Sequence, residues 1–276
     1  MPITTLLALH ATDDSPDDIK PVTELAARMG VHLNLVVFGA LDTMPTVTYP
    51  GVPIAYMADE HNRTVEKAEQ RAKTMEALVG QANLSASVMV ECVDRGLVAK
   101  TMTRHALCAD LVVFPNRSIP RQMLLTNAFN GVLFEADRPI LVLGQNSSPD
   151  AAPKRVLMAW NGEPEAAAAI HHNLHLLETI EEIHLVTVGE EEQASVSGLE
   201  AEMSLFLARH GKTVKVDRLN EETSDIAAVL MAHASRIEAD MIVMGAYGHS
   251  RLREWLLGGT TRDLLTASPL PVFMAH

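Results

Sequence analysis

Short runs in which nearly every residue is apolar recur along the chain, and longer stretches with apolar residues at helical spacing separate them. The second half shows this most clearly. Arg155 to Trp160 reads as a buried strand, Glu163 to Glu178 as a helix, and Ile183 to Val188 as a second strand. A helix over 195–210 stops at Gly211, a residue that commonly ends helices. Thr213 to Leu219 alternates like a half-buried strand. A helix from Asp225 to Glu238, the strand Asp240 to Met244, a helix near 259–267 and the strand Pro271 to Ala275 complete the series.

The first half repeats this order. Thr5 to His10, a helix from Pro16, Leu33 to Phe38, a helix over 58–81 and Ala86 to Glu91 come first. A helix at 95–108, Asp110 to Phe114, a helix around 126–136 and Pro139 to Leu143 follow. Asp240-Met-Ile-Val-Met lies 130 residues after Asp110-Leu-Val-Val-Phe, and Pro271-Val-Phe-Met-Ala lies 132 after Pro139-Ile-Leu-Val-Leu. The polar stretch from Gly144 to Pro153 joins the halves. The expected fold class is α/β: two tandem doubly wound domains, 1–146 and 153–276, each a five-stranded parallel sheet with helices on both faces. Ligands in such sheets sit beyond the carboxyl ends of the strands, where strand order reverses.

In the second half that place is occupied by Gly245-Ala-Tyr-Gly248-His249-Ser250, then Gly258-Gly259-Thr260-Thr261. Glycines after a buried strand let the chain turn and let a ligand approach the backbone. A helix that starts after glycines offers unpaired N–H groups to an anion, and the two threonines add hydroxyls that cap the helix or reach a phosphate. The first half has Pro115-Asn-Arg-Ser118-Ile-Pro120 instead, with no glycine before Gly131. Its prolines remove N–H donors and stiffen the loop.

The spacing Gly245-x2-Gly248-x9-Gly258 after Asp-Met-Ile-Val-Met, with the closing Pro-x-Pro-Val strand, resembles the ATP-binding signature of universal stress proteins. The element order extends the resemblance over both halves and implies an adenine-nucleotide alpha-hydrolase-like fold. It also implies that Gly245, Gly248, Gly258 and the residue after the last glycine hold phosphates, with Asn161 and the backbone of Val188 near the adenosine. His249, Ser250, Thr260 and Thr261 complete the expected nucleotide-binding set. Two positions depart from the family: Gly259 replaces a small hydroxyl residue, and Asn161 replaces an acid that would help hold a metal. His10 takes the acid's place in the first half, which is read as unable to bind ATP in the family's manner. The implied ligand is ATP or a related adenine nucleotide, with or without Mg²⁺.

Other candidates weaken on inspection. His171 and His175 share a helix face but lack a third metal ligand, so no metal site is expected. Ser250 lacks the glycine at Leu252 that a nucleophile elbow needs. Arg251 and Arg253 suit either a phosphate or a solvated helix face, and Glu190 to Glu192 reads as a charge cluster in a loop or at a helix start. The Pro-containing loop from Gly39 to Tyr56 reads as a lid or a plain surface excursion.

Charge then narrows the function. A formal net charge of −13 excludes a nucleic-acid-binding surface as the expectation, though backbone N–H groups still serve one nucleotide. No apolar run has the length of a membrane span, and Cys92 and Cys108 form no disulfide framework. The leading expectation is a cytoplasmic stress-response regulator that binds ATP in its C-terminal half, with no catalytic residues. Its two halves are expected to pair as an intramolecular pseudo-dimer, with a homodimer as a further option. A ligand-free scaffold and a slow ATPase are the other two readings.

Overall fold

The computed structural model describes residues 3–41, 54–114, 119, 122–144, 152–174, 179–189, 194–221, 225–246 and 259–276, with the backbone alone at 54–58 and 194–197. Residues 3–138 and 139–276 form two compact units.

In the first unit, strands β1 (Thr5–Ala11), β2 (His32–Leu41), β3 (Ala86–Asp94) and β4 (Leu111–Phe114) are parallel, in the order β3-β2-β1-β4. Helices α1 (Lys20–Met29), α2 (Ile54–Gln81), α3 (Val98–Ala106) and α4 (Met123–Asn130) connect or follow them. In β1, Leu6, Leu7, Ala8 and Leu9 are all buried, so both faces of the strand are covered, as its unbroken apolar run requires. Pro21 opens α1, and Gly30 ends it in a left-handed conformation.

The second unit holds β5 (Ile140–Val142), β6 (Arg155–Ala159), β7 (Glu182–Val188), β8 (Thr213–Leu219), β9 (Met241–Gly245) and β10 (Val272–Ala275). Their order is β5-β10-β9-β6-β7-β8. Helices α5 (Pro164–Asn173), α6 (Ala194–Arg209), α7 (Ile226–Arg236) and α8 (Gly259–Ala267) accompany them. All neighbours are parallel except β5, which runs antiparallel to β10 with Val142 opposite Val272, Leu141 opposite Phe273 and Ile140 opposite Met274. Strand β5 closes the first repeat in sequence, yet it lies in the compact unit of the second.

One clamp recurs in both units. The carboxylate of Asp110 accepts the N–H of Thr4 at 2.8 Å, the hydroxyl of Thr4 at 2.9 Å and the N–H of Thr5 at 3.0 Å. Asp240 accepts the N–H groups of Lys154 at 2.9 Å and Arg155 at 2.8 Å. Each aspartate therefore ties the entry of a repeat's first strand to the entry of its fourth. Burial alone would raise the pKa of Asp110, but the bonds from Thr4 and Thr5 and the charge of Arg138 outweigh it and hold the group below its ordinary range. Asp240→Ala leaves two backbone donors without that partner. We expect a loss of about 1–2 kcal/mol in urea unfolding, partly restored by Asp240→Asn. Equal stability of the alanine variant and the wild type would refute the clamp.

Candidate functional site

Strand order reverses at β6, which has β7 on one side and β9 on the other. The crevice beyond the carboxyl ends of β6 and β9 is thus the switch point of the sheet. The sequence placed its nucleotide residues around that point.

Asn161 follows the end of β6. It is exposed, and its side-chain oxygen accepts the N–H of Glu163 at 3.1 Å, a local turn that leads the chain into α5. Its carboxamide NH2 has no hydrogen-bond partner among the described residues. Val188, the last residue of β7, is half-buried opposite Leu219, and the N–H of Gly189 donates to the Leu219 carbonyl at 3.1 Å.

Gly245 ends β9. A Cβ there would lie 2.5 Å from the backbone nitrogen of Ala166 and 2.5 Å from the carbonyl carbon of Glu165. The strand and the first turn of α5 therefore meet at a distance only glycine allows. Gly259 is the exposed first residue of α8, and none of the described residues lies within 4 Å of where its Cβ would be. That helix has nine residues, and its first N–H groups have no partner within the helix. Thr260 is half-buried and Thr261 is buried, so Thr260 is the more accessible hydroxyl. Gly248, His249, Ser250 and Gly258 lie outside the described residues, as do Arg251 and Arg253.

The corresponding corner of the first unit is different. His10, near the end of β1, is fully buried, and neither ring nitrogen has a hydrogen-bond partner among the described residues. Burial, and then the nearby charge of Arg71, lower its pKa to about 4, so the ring is neutral at pH 7. Gly131 does not belong to a ligand loop. It follows α4 directly and packs against the backbone of Ala99 in α3. Residues 42–53, most of the long Gly39 to Tyr56 loop, and Pro115 to Ser118 lie outside the described residues. His175 and Glu190 to Glu192 do too, while the ring of His171 packs tilted against Phe206 with centroids 4.9 Å apart. Both cysteines are free.

One cluster was not singled out in the sequence. His184, Asp217 and His233 come from β7, β8 and α7, and their ligand-capable atoms lie within 4.8 Å of one another. The residues are 33 and 16 positions apart, so no motif joins them. The available signal was a histidine inside an apolar strand, with acids at same-face positions of that strand and its neighbour.

The sequence pattern of the universal stress protein family matches residues 153–276. Those residues belong to that family. The match covers the second repeat and the switch point just described. Across nearly the whole chain the fold is that of a universal stress protein from Archaeoglobus fulgidus, at 20% identity and a TM-score of 0.67, covering 98% of this chain and 95% of that one. A putative universal stress protein from Pseudomonas aeruginosa aligns at 16% identity with a TM-score of 0.58, over 99% of this chain and 93% of that one. A functionally unknown protein from the same species gives 16% identity and a TM-score of 0.57, over 99% and 92%. No curated protein matches in sequence. At these identities the structural likenesses establish the doubly wound α/β fold across both repeats. Of the groups that a nucleotide would need here, the described residues offer the first N–H groups of α8 and the Asn161 amide, and an amide at 161 offers no carboxylate to a metal.

Proposed function

We propose that this protein is a regulatory universal stress protein whose C-terminal domain binds ATP or a related adenine nucleotide. The supporting observation is that Asn161, Val188 and Gly245 stand at or just beyond the carboxyl ends of three adjoining parallel strands, at the point of strand reversal. The exposed start of α8 at Gly259 supplies N–H groups suited to phosphate, and Gly248 and Gly258 complete the family spacing. We assign residues 1–146 to a first domain that binds no ATP in this manner, because His10 is neutral and buried where the family carries an acid. The repeats act as a pseudo-dimer in this reading, supported by the antiparallel pairing of their closing strands β5 and β10. A cytoplasmic location belongs to the same proposal; among the described residues no helix is long and apolar enough to cross a membrane.

Titration calorimetry of the intact chain with Mg-ATP tests the reading. One site per chain is expected, weakened at least about tenfold in a folded Gly248→Asp, Gly258→Asp variant. Each aspartate adds negative charge and a side chain where phosphates approach the backbone. Absence of binding to adenine nucleotides by the wild type would refute the nucleotide reading and favour a ligand-free scaffold.

A further inference from the structure

The polar cluster between β7, β8 and α7 is unusual for its burial. His184 and His233 are only 5% and 6% exposed, on elements whose neighbouring residues are largely apolar. Asp217 is half-buried on the edge strand β8, and its Oδ2 stands 2.5 Å from Nδ1 of His184 and 2.8 Å from Nε2 of His233. The two rings meet edge to face with centroids 6.2 Å apart. On the far side of His184, Nε2 lies 2.7 Å from Oε1 of Glu182. Lys215 binds the other oxygen of Glu182 at 2.9 Å, and Nε of Arg155 forms an ion pair with Oε1 of Glu182 at 3.0 Å. Arg236 donates to Nδ1 of His233 at 2.5 Å.

The proton positions follow from these contacts. His184 has a carboxylate against each ring nitrogen. If the ring were neutral with its proton shared with Glu182, the bare Nδ1 would face the bare oxygen of Asp217, lone pair against lone pair. A cation has to lie between them, either a proton or a metal ion. His233 accepts from Arg236 at Nδ1, so its Nε2 carries the hydrogen donated to Asp217. Two imidazole nitrogens and one carboxylate oxygen thus converge from three elements, and Glu182 stands behind one ring as the outer carboxylate that orients a metal-binding histidine.

We propose that His184 Nδ1, Asp217 and His233 Nε2 form a binding site for a divalent transition metal of the zinc class, with water as the fourth ligand. This donor set and count match an open zinc site. Zinc–nitrogen bonds of about 2.0–2.1 Å in a tetrahedron place ligand atoms roughly 3.3 Å apart. The carboxylate oxygen must therefore draw back from each nitrogen by less than about 1 Å, through the partly exposed Asp217, while His184 Nδ1 and His233 Nε2, now within 4.8 Å, settle at that same spacing. The metal takes the place of the Nδ1 proton of His184, which leaves for solvent. The Nε2 proton of His233 is lost, and Nδ1 gains one, so the exposed Arg236 has to swing away. The ion thus exchanges for the proton held between His184 Nδ1 and Asp217. The site uses none of the nucleotide residues, so it stands or falls apart from the ATP reading.

The intact protein, stripped with a chelator, is titrated with Co²⁺ and followed by visible absorption, then with Zn²⁺ by calorimetry and by displacement of cobalt. One ion per chain, with the intense visible bands of four-coordinate cobalt, is expected. His233→Gln should weaken zinc binding about 100-fold or more, since loss of an outer partner alone costs 10–100-fold. Arg236→Gln, at an exposed position, removes the competing donor and should tighten binding severalfold. It keeps the test decisive if the buried variant fails to fold. Absence of four-coordinate cobalt, or zinc affinity unchanged in both His233→Gln and Arg236→Gln, overturns the proposal and leaves the cluster as a hydrogen-bonded ion network.

Discussion

Gly131→Ala is expected to destabilise the first unit by about 3 kcal/mol, against the usual sign of such a change. Gly131 has helical dihedrals, φ −60° and ψ −43°, at which alanine is ordinarily favoured by roughly 0.5–1 kcal/mol. Here a Cβ would lie 2.4 Å from the carbonyl oxygen of Ala99 and 2.8 Å from its carbonyl carbon. The obstacle is helix backbone, so no side-chain rotation relieves it. Thr103 draws the same two segments together by hydrogen bonds to the carbonyls of Ala99 at 2.8 Å and Gly131 at 3.0 Å. Separating α3 from the turn after α4 would disturb that bond and the buried packing of Phe129 on Phe114. The cost belongs at the upper end of overpacking penalties, about 3 kcal/mol. Gly80→Ala is the control: it lies in α2 with none of the described residues within 4 Å of its Cβ position, and alanine should stabilise there by up to about 1 kcal/mol. Urea midpoints that move in the same direction for both variants would refute the account.

The second large effect is acid sensitivity carried by His10. Its folded-state pKa is about 4, against about 6.5 for an unperturbed histidine. Between those values the unfolded chain binds a proton that the folded chain refuses. Stability therefore falls as pH drops through 6.5 and continues to fall until about pH 4. The accumulated loss is about 3 kcal/mol at 1.36 kcal/mol per unit. His10→Leu removes the titrating ring and two polar atoms that lack partners among the described residues, at a fully buried site. The variant should match or exceed the wild type at pH 7 and surpass it by about 3 kcal/mol near pH 4. Denaturant unfolding across that range measures the difference. A difference between variant and wild type that does not change with pH would show that His10 is not the group responsible.

Much of this was readable before the fold was known, and the reason differs by element. Strands β1, β4, β6 and β9 announce themselves because burial on both faces leaves no polar position to interrupt the run. The repeat was visible because Asp110 and Asp240 open equivalent strands, and the structure shows both holding the strand beside them. Placement of β5 was hidden: Ile140-Leu-Val is as apolar whichever strand lies next to it. Gly245 was attributed to loop freedom and ligand approach, but its closest neighbour is the backbone of α5, a contact far away in sequence. Gly131 was noted only as the first glycine after a loop without any. The histidine cluster escaped notice because it depends on register: Lys215 pairs with His184, which brings Asp217 diagonally within reach, and α7 then delivers His233. Periodicity identifies faces and says nothing of which strand supplies the neighbour. Among the proposed site residues, Asn161, Val188, Gly245, Gly259, Thr260 and Thr261 have a described position, while the heart of the glycine loop does not.

The ladder between β5 and β10 has a consequence for how the two repeats can diverge. With the 132-residue offset of their closing strands, Leu141 and Phe273 are equivalent positions, and they face each other at its centre. Two separate copies of one chain would have to set identical side chains against each other there, and every substitution would strike both sides at once. Within a single polypeptide a leucine can oppose a phenylalanine, so a change in bulk on one side can be answered on the other. The pairing is also intramolecular, and dilution does not part it. Neither strand then has to remain fit to recognise itself.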